Sequence, residues 1–231
     1  MKRFYVQTIV AAGAAILGLA LGAAAQTSPA LLNSLEVQRL VASSDPTSHA
    51  RLRDHFTVVA ATYDAEARQH SAMAQGFAGN STHPNLGMGE HCKRLADLAT
   101  QEAATVKEIA AYHGQLAAGA AATVPRNAAP YEGGKGAPAP TEKQLRDLAA
   151  GAGTPADHRS LAEYYLNVAR AQEAAASEHA AMAQTYRASS NRQGAASGPA
   201  IHCDRMVMLS RAAAKEARAA EAQQRQLANV G

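Results

Sequence analysis

Larger side chains recur at alternating steps of three and four residues along two long, alanine-rich stretches of the chain. Side chains spaced in this way share one face of an α-helix, and alanine is the strongest helix former. No segment shows the alternation typical of a strand. The pattern therefore predicts an all-α protein, with two helical stripes at His49, Leu52, Phe56, Val59, Tyr63, Glu66, His70, Met73 and Phe77, and at His158, Leu161, Tyr165, Val168, Gln172, Ala175, His179, Met182 and Tyr186.

The two stripes belong to an internal repeat. Residues 45–77 align with residues 154–186 without a gap, at an offset of 109, and His91-Cys92 aligns with His202-Cys203 at an offset of 111. Each copy begins with an N-cap residue and a proline at the first helical position. A second helix is expected over about residues 89–118 and 199–228. Two antiparallel helical hairpins predict a four-helix up-down bundle with a pseudo-two-fold axis.

The remaining segments complete the predicted organisation. Residues 1–25 read as a signal peptide, because Lys2-Arg3 precedes a long apolar run and small residues end at Ala25. An uncleaved membrane anchor is the alternative. Residues 26–44 form an N-terminal segment with a short helix, 45–123 the first hairpin, 124–153 a Pro/Gly-rich linker with a short helix, and 154–231 the second hairpin. Export predicts a periplasmic or secreted protein.

Charge and motif content narrow the functional classes. The chain has 22 basic and 19 acidic residues, and removing Lys2 and Arg3 leaves a formal charge of +1. This balance does not favour nucleic acid or an anionic membrane as partner, and the protein partner stays open. Catalytic and phosphate-binding motifs are missing. Glu102 lies on an apolar stripe opposite Ala213 in the other copy, so no paired-carboxylate site is predicted, and no enzyme activity is expected.

The polar residues kept in both copies are His, Met and Cys, and they suggest a soft-metal site. A His and a Met at i and i+3 share a helix face and offer nitrogen and thioether sulfur. With a cysteine thiolate this donor set suits copper, especially Cu(I), and less exclusively zinc. Up-down topology would bring all the candidates to one end of the bundle, with Glu66 orienting an imidazole. The candidates are His70, Met73, His179, Met182, His91, Cys92, His202 and Cys203.

These residues also allow other interpretations. Met on a heptad stripe is commonly core filler, and His there is commonly hydrogen-bonded. Cys92 and Cys203 could form a disulfide between the repeats, worth about 4 kcal/mol, could ligate a metal, or could be reactive thiols. A disulfide would remove the thiolates that a metal needs. Haem binding through His and Met axial ligands is a further interpretation, with no Cys-x-x-Cys-His attachment motif to support it.

The chain resembles a group of exported, Ala-rich bacterial helical-hairpin proteins. The resemblance rests on a Thr-Pro-Ala-Asp-His start at residues 154–158, a His-x-x-Met-Ala-x-x-Tyr segment at residues 179–186, and His202-Cys203. The first copy departs from this pattern at residues 45–49 and at Phe77. The resemblance implies export and helical hairpins, and transfers no activity. Two hypotheses follow: a periplasmic soft-metal (copper or zinc) binding bundle, or a non-catalytic structural or interaction module stapled by Cys92–Cys203.

Overall fold

The structure is a computed structural model that describes residues 31–43, 45–80, 87–118, 140–189 and 198–230. The predicted signal peptide and most of the predicted linker lie outside these residues. The described ranges contain six helices and no strand, which confirms the all-α prediction. The helices are α1 (Ser34–Ala42), α2 (Pro46–Gly79), α3 (Met88–Leu116), α4 (Glu142–Gly151), α5 (Pro155–Ser189) and α6 (Gly198–Val230).

Both long first helices start where the sequence marks an N-cap. The Asp45 side chain accepts a hydrogen bond from the Ser48 backbone N–H at 2.9 Å, just before Pro46 at the first helical position. Thr154 and Asp157 cap α5 reciprocally: the Thr154 backbone N–H donates to the Asp157 carboxylate (3.0 Å), and the Asp157 N–H donates to the Thr154 hydroxyl (3.2 Å). These bonds satisfy N–H groups that a helix leaves without partners.

The two helical hairpins pack in opposite directions. Helices α2 and α3 pack against each other, as do α5 and α6, while α3 also packs on α6. His70, near the C-terminal end of α2, contacts Tyr164, near the N-terminal end of α5, and Glu66 bonds Gln172 further along. Helices α2 and α5 are therefore antiparallel, so the junction of α2 with α3 and the junction of α5 with α6 lie at opposite ends.

The apolar core is divided into two clusters, one near each end of the long helices. We call them the Cys92 cluster and the Cys203 cluster after the cysteine that each contains. The Cys92 cluster includes Met73, Phe77, Met88, Cys92, Leu95, Leu145, Ala149, Leu161 and Tyr165. The Cys203 cluster includes Val37, Val41, Leu52, Phe56, Val106, Ile109, Met182, Cys203 and Met206, with Tyr186 packed against it.

The two short helices each cross to the other repeat. Helix α4 precedes the second hairpin but packs mainly on α2 of the first, and α1 precedes the first hairpin but packs on α5 of the second as well as on α2. Each contributes two buried residues four positions apart, Val37 and Val41 from α1 and Leu145 and Ala149 from α4. The short helices therefore cover the two clusters in a related way.

None of the described helices combines the length and the apolar character needed to cross a lipid bilayer.

Candidate functional site

The predicted gathering of eight ligands at one end is wrong. Met73 and Cys92 lie in the Cys92 cluster, whereas Met182 and Cys203 lie in the Cys203 cluster. His91 contacts Glu216 on α6, and His202 contacts Glu108 on α3. Glu108 lies 17 residues beyond His91, or about 25 Å along the helix. The prediction is wrong because the hairpins run antiparallel to each other, so their equivalent ends lie at opposite ends of the long helices.

The predicted Cys92–Cys203 disulfide is also wrong. Both cysteines are free and buried, and they belong to clusters at opposite ends of α3 and α6. A disulfide requires Cα atoms within about 7 Å. The structural module of the second hypothesis therefore loses its staple, and both thiols stay available for other chemistry.

The Cys92 cluster holds its thiol in a hydrogen bond. Cys92 Sγ and Tyr165 Oη lie 3.0 Å apart, and both side chains are fully buried. Burial raises the pKa of the Cys92 thiol to about 12, against the lowering effect of the Tyr165 bond. Met73, with no exposed surface, packs in the same cluster. A neutral thiol, a phenol and a thioether therefore share one apolar pocket.

The Cys203 cluster repeats this arrangement with the aromatic residues exchanged. Phe56 stands where the other repeat has Tyr165, and Tyr186 stands where the other has Phe77. Cys203 thus lacks the phenol that bonds Cys92, and no hydrogen bond joins it to another described side chain. Burial, helped by the nearby Asp204, raises the pKa of the Cys203 thiol to about 12, against the lowering effect of Arg187. Met182 packs in the same cluster.

His70 and His179 occupy equivalent positions and share an unusual property. They are only 3% and 4% exposed, and the Nδ1 atom of each is buried without a hydrogen-bond partner among the described residues. Burial lowers the pKa of each imidazole to about 4, so both rings are neutral at pH 7. A neutral imidazole with an unpartnered nitrogen is the form that ligates a metal.

Three other predicted residues have different neighbours. Glu66 bonds Gln172, and no bond joins it to His70 within the described ranges, so its predicted orienting contact is not made. His91 Nδ1 contacts the Glu216 carboxylate, and His91 Nε2 lies 3.1 Å from the Gln223 side-chain oxygen. His202 Nδ1 lies 2.9 Å from the Glu108 carboxylate. Both His residues thus link α3 to α6.

A buried chain of hydrogen bonds at the Cys203 end was missed by sequence reasoning. The Nδ1 atoms of His49 and His113 lie 3.1 Å apart, and His113 Nε2 lies 2.7 Å from Tyr186 Oη. Burial lowers the pKa of His113 to about 3, helped by His49 and His55. The other repeat places His158 Nδ1 2.8 Å from Gln224 Oε1. The histidine of each first helical turn therefore has an equivalent partner in both repeats.

A second missed feature is a central polar cluster of Glu66, Glu102, Gln172 and Ser210. These four side chains come from α2, α3, α5 and α6 respectively. Glu102 is 0% exposed, and its oxygens accept hydrogen bonds from the Ser210 hydroxyl (2.7 Å) and from Gln172 Nε2 (3.4 Å). Three of these residues fall on heptad stripes, which was the available signal. Comparison of the two copies does not single out Glu102, because its counterpart is Ala213.

The described ranges contain no group of three or more His, Cys, Asp or Glu side chains placed to hold a metal ion. Comparison with protein-family models, with curated proteins and with solved structures gave no match.

Proposed function

We propose that the chain is an exported helical bundle that binds one soft metal ion in each of two equivalent halves. The four long helices would form an up-down bundle of two repeated hairpins, with α1 and α4 as outer covers. The antiparallel packing of α3 on α6, and the antiparallel directions of α2 and α5, support this arrangement. The predicted signal peptide supports a periplasmic location, and the protein would act as a metal-binding protein without catalysis.

The observation that carries the proposal is the pair of buried Nδ1 atoms on His70 and His179 that have no hydrogen-bond partner among the described residues. Buried polar atoms normally have a hydrogen-bond partner, because an unsatisfied one costs about 1–3 kcal/mol. Here the unpartnered atom recurs at the same position in both repeats. Each His lies three residues before a buried Met that shares a cluster with a buried Cys.

The donor set supports copper over zinc. Thiolate, thioether and imidazole together suit Cu(I), whereas structural zinc sites use four ligands from Cys, His and carboxylates. The ligand sets would be His70, Met73 and Cys92 in one half, and His179, Met182 and Cys203 in the other. His91 and His202 keep their contacts between α3 and α6. Each thiol would lose its proton on ligation, so binding would release protons despite the raised pKa.

The two halves would differ in strength. The Cys92 thiol must exchange its bond with Tyr165 for a ligand bond, whereas Cys203 has no such bond within the described residues. We therefore expect the Cys203 half to bind first, and Tyr165→Phe to strengthen the Cys92 half.

The test is copper stoichiometry in variants of the exported protein. Protein purified under reducing, anaerobic conditions is titrated with Cu(I) against a chromophoric chelator, and bound copper is measured by mass spectrometry. We expect two ions for the parent protein, one for Met73→Leu or Met182→Leu, and none for the double variant. Met208→Leu removes an exposed thioether of α6 and should leave two ions. Unchanged stoichiometry in the double variant, or no copper bound by the parent, would refute the proposal.

A further inference from the structure

The central polar cluster brings polar side chains from all four long helices to one place. Gln172 Nε2 lies 3.3 Å from a Glu66 carboxylate oxygen and 3.4 Å from a Glu102 carboxylate oxygen. The Ser210 hydroxyl lies 2.7 Å from the other Glu102 oxygen. Tyr63 is close enough for both carboxylates to raise the pKa of its phenol, after the larger effect of burial. One amide nitrogen thus occupies the space between two carboxylates.

The charge of these two carboxylates is not balanced. Neither Glu66 nor Glu102 forms an ion pair with Lys, Arg or His of the described ranges, and Glu102 is completely buried. Buried charges in proteins are normally paired or bound to metal ions. Burial raises the pKa of Glu102 to about 8, and of Glu66 to about 7. The Glu66 and Glu102 carboxyl groups therefore either hold protons or require a cation. The protons or the cation would lie near the Gln172 amide.

The Gln172 amide provides an independent sign of a missing partner. Its side chain is 5% exposed, and its Oε1 atom is buried without a hydrogen-bond partner among the described residues. Turning the amide by 180° would place Oε1 between the carboxylates and leave Nε2 as the unpartnered atom instead. The two hydrogen bonds from Nε2 to the carboxylates would be lost. A cation bound in their place would contact both carboxylates and gain Oε1 as a third oxygen ligand. Glu66 is partly exposed and gives the cluster a route to solvent.

We propose that Glu66, Glu102, the Gln172 amide oxygen and the Ser210 hydroxyl form a binding site for one small divalent cation that prefers oxygen ligands. Carboxylate, carbonyl and hydroxyl oxygens suit Mg²⁺, Mn²⁺ and Ca²⁺, and not the soft ions expected at the Cys clusters. Each of the four long helices contributes one ligand. Binding would hold the two hairpins together at the middle of the helices, between the two apolar clusters.

The test uses Mn²⁺ as the probe with the full exported chain stripped of metal. Loss of the free Mn²⁺ signal in electron paramagnetic resonance counts the bound ions at pH 8. We expect one bound Mn²⁺, competition by Mg²⁺ or Ca²⁺, and a rise in Tm on binding. Glu102→Gln and Glu66→Gln should each weaken binding at least tenfold, while the exposed Glu163→Gln on α5 leaves it unchanged. Metal-free Glu102→Gln should melt above the metal-free parent, which shows that it folds.

Two results would overturn the cation site. The first is a folded parent protein that binds no Mn²⁺ at pH 8, which would leave the carboxyls as a proton-holding pair. The second is Mn²⁺ binding that persists in Glu102→Gln. Copper binding is a separate matter, because the Met73→Leu/Met182→Leu double variant should still bind Mn²⁺. The failure of one site is therefore distinguishable from the failure of the other.

Discussion

Gly76 lies on the face of α2 that meets α4, and the space there is too small for a methyl group. A Cβ atom at this position would lie 2.4 Å from the Arg146 carbonyl oxygen and 2.9 Å from the Ala149 Cβ. Contacts this short force either α2 or α4 to move. The Arg146 oxygen is a backbone atom of α4 and the Ala149 methyl group has no rotamer that avoids the contact, so neither can give way alone. Gly76→Ala should therefore separate α4 from α2.

The expected loss is set by two opposing effects. Overpacking a close contact costs about 1–3 kcal/mol, and displacing α4 also exposes the buried Leu145, worth about 2 kcal/mol when fully buried. Alanine recovers about 1 kcal/mol through its better helix propensity. We expect a net loss of about 2–4 kcal/mol in the free energy of unfolding, measured by urea denaturation. Trypsin should also cut faster after Arg146, because α4 spends more time undocked.

Gly79→Ala is the matched control on the same helix. A Cβ at Gly79 meets nothing within 4 Å, so this variant should be as stable as the parent or slightly more stable, with unchanged cleavage after Arg146. If Gly76→Ala matched Gly79→Ala in both measurements, the close packing of α2 on α4 would be refuted.

Three further predictions test the polar core and the thiols. Because the carboxyl pKa values of Glu66 and Glu102 are raised to about 7 and 8, their contribution to stability is complete below about pH 4.5 and is lost as pH rises through those values. The lowered pKa values of the His residues change stability only below about pH 6.5. Urea unfolding of metal-free protein should therefore show that the free energy of unfolding falls by about 2 kcal/mol between pH 6.5 and 8.5 from Glu102 alone. Glu102→Gln should remove most of this pH dependence, and an unchanged pH dependence would contradict the raised pKa of Glu102. His113→Gln should change Tm by only a few degrees, since the second repeat already pairs a histidine with glutamine at this place; loss of folding would show that the two pairs are not equivalent. Reducing agent should leave the Tm of metal-free protein unchanged, because Cys92 and Cys203 are free; a large drop would indicate a disulfide.

The helices were predictable because their signals are local. The stripes, the proline after each N-cap and the alanine content act within a few residues, and the structure places α2 and α5 where these signals begin. The relative direction of the two hairpins has no local signal. The same stripes can be buried by hairpins that run parallel or antiparallel to each other, and a predicted linker of about 30 residues permits both arrangements. The convergence of His70 with His179 depended on this unmarked choice.

The candidate residues were predicted better than their partners. Repetition identified His70 and His179 as residues kept in both copies, and both have a buried Nδ1 atom without a hydrogen-bond partner among the described residues. The contacts of Glu102 with Gln172 and Ser210 join residues 70 and 108 positions apart in sequence. Such contacts between different helices follow from packing and are invisible to a comparison of equivalent positions. A comparison of equivalent positions in the two copies therefore overlooks residues, such as Glu102, whose counterpart is of a different type.

The exchange of the two short helices has a consequence for the origin of the chain. A single repeat, such as residues 31–118, would carry α1 but would lack the α5 surface on which α1 packs, and its own α2 would lack the covering α4. Two identical copies could satisfy both needs by trading their short helices, as in a domain-swapped homodimer. The present chain thus has the form of such a dimer fused into one polypeptide. Fusion makes the exchange independent of concentration and frees each half to diverge, as the opposite placement of Tyr165 and Tyr186 illustrates.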